Sequence, residues 1–180
     1  MNKTLRSILW LVAVIVLSAA ALTMLDRFED GQNVPNEPDA ARRATVMLVV
    51  YAGDEVPGGR DPAEFKKVGC EDLLVPYEID VPSKRLKSVL NALSEFKPPE
   101  GYQNPLQEKG IMVVDAAERG HSTVIVELAG EPQFGGVCDT PRFMEQIRET
   151  VKLTNPDFEI RLNGSEAAFR CLADMSGECK

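Results

Sequence analysis

The sequence predicts an α+β domain in which two helices cover one face of a mixed or antiparallel sheet, held behind a single N-terminal transmembrane helix. Three observations predict it. Residues 8–25 carry no charge and follow Lys3 and Arg6. Beyond them, strand-like apolar segments and two helical stripes succeed one another in the order β-β-α-β-β-α-β. All four cysteines, Cys70, Cys138, Cys171 and Cys179, lie past the uncharged run.

As a helix the run 8–25 would be about 27 Å long at about 1.5 Å per residue, close to the roughly 30 Å hydrocarbon core of a bilayer. A signal peptide has a shorter apolar stretch and then a small-residue cleavage site. Ser18, Ala19, Ala20 and Ala21 offer such a site, but Leu22, Met24 and Leu25 prolong the run past it. An uncleaved signal anchor over residues 1–25 is therefore expected, with cleavage near Ala21 as the alternative. No cysteine follows the run closely enough to carry a lipid. Basic residues stay on the cytoplasmic side, so the N-terminus is expected in the cytoplasm and the body outside the cell membrane.

Residues 26–44 hold Gly31, Pro35, Pro38 and many charges, the composition of a flexible extracytoplasmic stalk. Residues 45–180 are then enough for one domain with its own core. The chain has 28 acidic against 20 basic residues, a net charge of −8, and two of the bases precede the run. So acidic a body is repelled by nucleic acid and by anionic headgroups, and nucleic acid is not an expected partner.

Within the body, Thr45 to Tyr51 form a β-branched run expected as a central strand covered on both faces. Gly53, Pro57, Gly58, Gly59 and Pro62 mark a loop. In residues 73–81, Val75, Tyr77, Ile79 and Val81 alternate with Pro76, Glu78 and Asp80, and Pro76 argues for an edge or a bulge. Ser83 is the expected cap of a helix over residues 86–96, where Leu86, Val89, Leu90, Leu93 and Phe96 form one stripe before Pro98 and Pro99. Residues 111–114 and 123–128 read as two strands of a hairpin with Gly120 near its turn. Thr140 and Pro141 are the expected start of a second helix, with Phe143, Met144, Ile147 and Val151 on one face and Asn155-Pro156 at its end. Phe158, Ile160 and Leu162 alternate in a last strand that closes at Asn163-Gly164.

The cysteines alone allow three pairings, and none of their spacings has the short form of a structural zinc site. The ordered elements, however, resemble the GerMN domain of bacterial sporulation and spore-germination proteins. Four stretches carry the resemblance: Val46 to Tyr51; Leu74-Val75-Pro76-Tyr77-Glu78-Ile79 leading into the helix that ends at Phe96; Gly120 to Leu128; and Ile147 to Gly164, closing on Phe158-Glu159-Ile160-Arg161-Leu162-Asn163-Gly164. The resemblance implies a compact module for envelope assembly or interaction, with no catalytic signature. It also implies a Cys70/Cys138 disulfide, which leaves Cys171/Cys179 as a local clip. This chain differs from the family pattern in having one module instead of a tandem pair, no lipid-bearing cysteine, and a cysteine-containing tail after Gly164.

Little in the chain points to catalysis. His121 is the only histidine; its neighbour Ser122 would point to the opposite face of a strand, so a Ser/His pair is not expected. Glu71, Asp72 and Glu118 are unremarkable among so many acids. The glycines at 53–59 and 135–136 match no phosphate-binding loop. Asn163-Gly164-Ser165 fits a glycosylation acceptor, but Asn-Gly is expected as a turn. Tyr102 and Phe134, both in loops, are the candidate contacts for a partner, with folding back on the core as the other reading of each.

The expected function is that of a membrane-anchored, extracytoplasmic, non-enzymatic interaction module, without cofactor or metal, whose partner is an envelope protein or a cell-wall component. A wall-polymer or peptide hydrolase and a small-molecule binding protein are the alternatives. The first needs convergent carboxylates in a cleft, the second an apolar pocket between helices and sheet.

Overall fold

The computed structural model describes residues 42–119 and 123–174. The predicted anchor, nearly all of the predicted stalk, Gly120, His121, Ser122 and Cys179 lie outside the described residues. No described helix is long and apolar enough to cross a membrane.

The order of elements is β1 (Arg42–Val50), a 3-10 turn (Pro62–Glu64), β2 (Lys66–Val68), β3 (Asp72–Val81), α1 (Leu86–Glu95), α2 (Pro105–Glu108), β4 (Met112–Arg119), β5 (Thr123–Ala129), α3 (Asp139–Lys152), β6 (Phe158–Leu162) and α4 (Glu166–Cys171). The α+β class holds. The single sheet does not: the strands form two three-stranded sheets, β1-β3-β2, wholly antiparallel, and β4-β5-β6, with β5 and β6 parallel.

The split follows from what covers β1. It was expected at the centre of a sheet, yet it lies at an edge. Its outward groups at Val49 exchange two hydrogen bonds with Gln103, and those at Met47 bond to Thr150 Oγ1 and Gln146 Nε2 from α3. A loop and two helix side chains thus stand where a neighbouring strand would pair. Because both faces and the outer edge of β1 are covered, its sequence reads like that of a central strand.

Pro76 fits the same geometry. Since Met47 turns its backbone away from β3, the Met47–Pro76 pair is a non-hydrogen-bonded one. The missing N–H of Pro76 therefore points to the side where β2 pairs, and β2 reaches only residues 72–74 of β3. Pro76 sits where β3 has a neighbour on one side alone, as an edge proline should.

Both helical stripes become core. Leu86, Val89, Leu90 and Leu93 of α1 and Phe143, Met144, Ile147 and Val151 of α3 are buried in one cluster with Val46, Leu48 and Val75 of the first sheet and Val126, Leu128 and Ile160 of the second. Their caps differ from expectation. Arg85, not Ser83, is the N-cap of α1 and makes no side-chain cap bond, while the Ser83 hydroxyl donates to Ser88 Oγ. Helix α3 begins at Asp139 with Cys138 as N-cap, so Thr140 lies inside the first turn.

The two short helices escaped the sequence reading. Asn104 caps α2, and Ser165 Oγ caps α4 by accepting from Ala168 N–H. Asn163 and Gly164 form the expected turn, both at positive φ (51° and 80°). The Asn163 amide brackets Gly130, accepting from its N–H and donating to its carbonyl.

Candidate functional site

The densest chemistry gathers where the β2–β3 turn meets the start of α3. Residues Gly69–Asp72 make a tight turn, closed by Asp72 N–H to Gly69 O, with Cys70 and Glu71 both left-handed (φ 56° and 67°). Cys70 and Cys138 lie at disulfide distance with Cα atoms 5.6 Å apart, the pairing implied by the family resemblance. Cys171 is disulfide-bonded as well, so no described cysteine is free. Gly69 has no room for a side chain: a Cβ there would lie 2.7 Å from Pro141 Cγ.

An L residue in the left-handed region costs about 1–2 kcal/mol where glycine costs little. Glu71→Gly is therefore expected to raise the free energy of unfolding in urea by about 0.5–1 kcal/mol, after the entropy glycine adds to the unfolded chain. The exposed Lys67–Glu71 ion pair lost in that variant is worth little.

Beside the bridge runs a chain of charges. Asp72, only 1% exposed, accepts from Ala52 N–H at 2.8 Å through one oxygen and from Arg142 Nε through the other. Arg142 also reaches Asp139 Oδ1 at 3.2 Å, and its guanidinium stacks 4.5 Å above the Tyr51 ring. Asp139 Oδ2 takes Lys109 Nζ at 2.8 Å and Gly135 N–H at 2.9 Å. Burial works against the charge on Arg142, but the hydrogen bond and charge of Asp72 outweigh it, and the guanidinium holds its proton more tightly than usual. Burial also raises the Tyr51 phenol, with Glu108 adding to the rise and Arg142 opposing it.

The Lys109 ammonium and then the Gly135 N–H hold the Asp139 carboxyl below the usual carboxylate range. A carboxyl with a depressed pKa adds stability above its unfolded value of about 3.9, and loses it as pH falls through its lower folded value. Asp139→Asn is thus expected to be less stable than the parent at pH 7. The gap should close progressively as pH falls below about 4, read as urea midpoints at successive pH values; a gap independent of pH contradicts this.

Deeper lies a second polar group with no charge. Asn104 and Gln146 are both 0% exposed. Asn104 Nδ2 donates to Leu93 O and Phe96 O, closing the end of α1, while its oxygen caps α2 and accepts from Gln146 Nε2. Gln146 also donates to Met47 O and accepts from Leu106 N–H at 2.9 Å. One amide pair thus ties α1, α2, α3 and β1 together. No buried side-chain polar atom is left without a partner among the described residues.

These arrangements hold elements in place; they do not aim a nucleophile at a base. Asp72 is spent on Arg142, and Glu71 is on the exposed turn. Tyr102, a candidate partner contact, is only 8% exposed and packs edge-on to Tyr77 at 5.2 Å, folded back on the core, the other reading of it. Phe134 is half-buried, 5.7 Å from the Phe143 ring, under the Lys109 ammonium. The described grooves are open: one of about 490 Å³ beside Asp80, Asn91, Glu95 and Phe96, and one of about 420 Å³ beside Tyr51, Asp54, Lys67 and Glu71. No set of three acidic, cysteine or histidine side chains that could hold a metal occurs among the described residues.

The Arg142–Asp72 pair, Gln146 and Asn104 were missed from sequence. Arg142 and Gln146 flank the apolar stripe of α3 four residues apart, and a polar residue bordering a core stripe is the one signal that marks such a group. No family model, no curated protein and no solved structure matches the chain.

Proposed function

We propose that the chain is a membrane-anchored, extracytoplasmic interaction module of the bacterial cell envelope, similar to GerMN domains and without enzymatic activity. The observation that carries the reading is the Cys70–Cys138 bridge between the β2–β3 turn and α3, a bond that persists in oxidising compartments. The uncharged run 8–25 behind Lys3 and Arg6 supports export and tethering, and the resemblance supports a role in envelope assembly, sporulation or germination. The partner is an envelope protein or a wall component.

Cross-linking of the full chain in intact cells, followed by identification of the bound molecules, tests this. The same envelope component is expected in repeated captures. A domain that stays free throughout growth and development contradicts the reading, as does turnover of a wall polymer or peptide by the purified chain.

A further inference from the structure

The two ends of the Cys70–Cys138 bridge are unlike. Cys70 is exposed on the turn between β2 and β3, whereas Cys138 is half-buried at the start of α3. Gly69 lies close over Cys138: a Cβ on it would be 3.0 Å from Cys138 O and 2.7 Å from Pro141 Cγ. Of the two residues, the one on the turn is the more open to a reagent arriving from solvent.

The backbone distinguishes them as well. Cys138 is the N-cap of a 14-residue helix, the position whose side chain accepts from the N–H of the second or third helical residue. The third is Pro141, which has no N–H, so Thr140 N–H alone can serve. Asp139 N–H bonds to Gly136 O and Arg142 N–H to Cys138 O, but Thr140 N–H bonds to no group among the described residues, and the bridged Cys138 side chain makes no cap. A thiolate on Cys138 would find that donor, at the positive end of the helix; Cys70 stands at no helix end. The charges of the junction pair off and leave the helix to decide: Asp72 with Arg142, Asp139 with Lys109 and Arg142, Glu71 with Lys67.

We propose that the bridge is a one-sided thiol-exchange site, at which an incoming thiol bonds to Cys70 and Cys138 departs as a thiolate capped by Thr140 N–H. The incoming thiolate forms a new S–S bond to Cys70, the Cys70–Cys138 bond breaks, and its electron pair goes to the Cys138 sulfur. The more acidic of two thiols is the faster to leave, so access and leaving ability select the same sulfur for attack. A second thiol, bonding to the sulfur of the first, releases Cys70 and completes a two-electron reduction with the two thiols oxidised to a disulfide. Return attack by Cys138 on the mixed disulfide closes the bridge again. The class of molecule this site takes is therefore a thiol or a protein dithiol, and exchange with it unties the β2–β3 turn from α3 reversibly.

The test uses the full chain, purified in detergent with its disulfides closed. It is treated briefly with reduced glutathione, quenched with N-ethylmaleimide and mapped as peptides without further reduction. Glutathione is expected on Cys70 and maleimide on Cys138, in excess of the reverse arrangement by about tenfold. A second measurement follows the pH dependence of alkylation in the reduced single variants. Cys138 in Cys70→Ser should react as a thiolate at least about one pH unit below Cys70 in Cys138→Ser, since free thiols titrate near 8.5 and those at helix N-termini at about 3.5–7.5. The proposal is overturned if glutathione is found on Cys138 as often as on Cys70, if the bridge resists glutathione until urea unfolds the domain, or if Cys138 titrates no lower than Cys70.

Discussion

Replacing Cys70 and Cys138 together by serine is expected to lower the free energy of unfolding by about 4 kcal/mol, read from urea unfolding with the parent held oxidised. The bond closes residues 68 apart, and loop-closure entropy for a ring of that size is about 4 kcal/mol. The loss arises mainly in the unfolded chain. Native contacts at the same junction survive it: Asp72 still holds Arg142, and Lys66 still bonds to Glu145 and Glu149 on α3. The reduced domain should therefore keep its fold and lose its margin. A double variant with an unchanged midpoint would show that the staple does not constrain the unfolded state.

Arg142→Ala is expected to cost about 3–5 kcal/mol, because it strands a buried carboxylate. Asp72 would keep Ala52 N–H as a donor and lose its cation, and Tyr51 would lose the guanidinium above its ring. Arg142→Met with Asp72→Asn should recover most of the loss, since the amide oxygen still serves Ala52 N–H and no unpaired charge stays buried. If the double variant were no better than Arg142→Ala, the stranded charge would not be the source of the cost. Asp139 loses a partner in both variants, so comparing the two cancels its share.

What the sequence reveals and what it hides divide along a physical line. The stripes of α1 and α3, the alternation of β3 and the Asn163-Gly164 turn are local patterns of period 3.6 or 2 or of turn chemistry, and each element appears where its pattern lies. Pro76 even marks the free flank of β3. The division into two sheets is not local. It depends on Gln146 and Thr150 reaching Met47 from about a hundred residues further along the chain, and nothing near β1 announces that its edge is taken.

The helices α2 and α4, at 4 and 6 residues, are too short to show a period. Their caps, Asn104 before Pro105 and Ser165 before Glu166, were the available signals. The candidate contacts fared by the same rule. Tyr102 is an aromatic in a loop, but its burial is decided by Tyr77 on a distant strand. The cysteine pairing was open on residue grounds and came from the resemblance. The charged chain from Asp72 to Lys109 draws on the β2–β3 turn, α3 and the residue after α2, a meeting that no single segment encodes.

A body that works outside the membrane, as proposed, carries its Cys70–Cys138 staple closed in the living cell. Cells are treated with a thiol-blocking reagent before lysis, and the full chain is recovered from the envelope fraction and mapped as peptides without reduction. A linked peptide joining Cys70 to Cys138 is expected, with neither sulfur blocked by the reagent. Recovery of both cysteines in blocked form, or of Cys70 linked to Cys171 or Cys179, would contradict it.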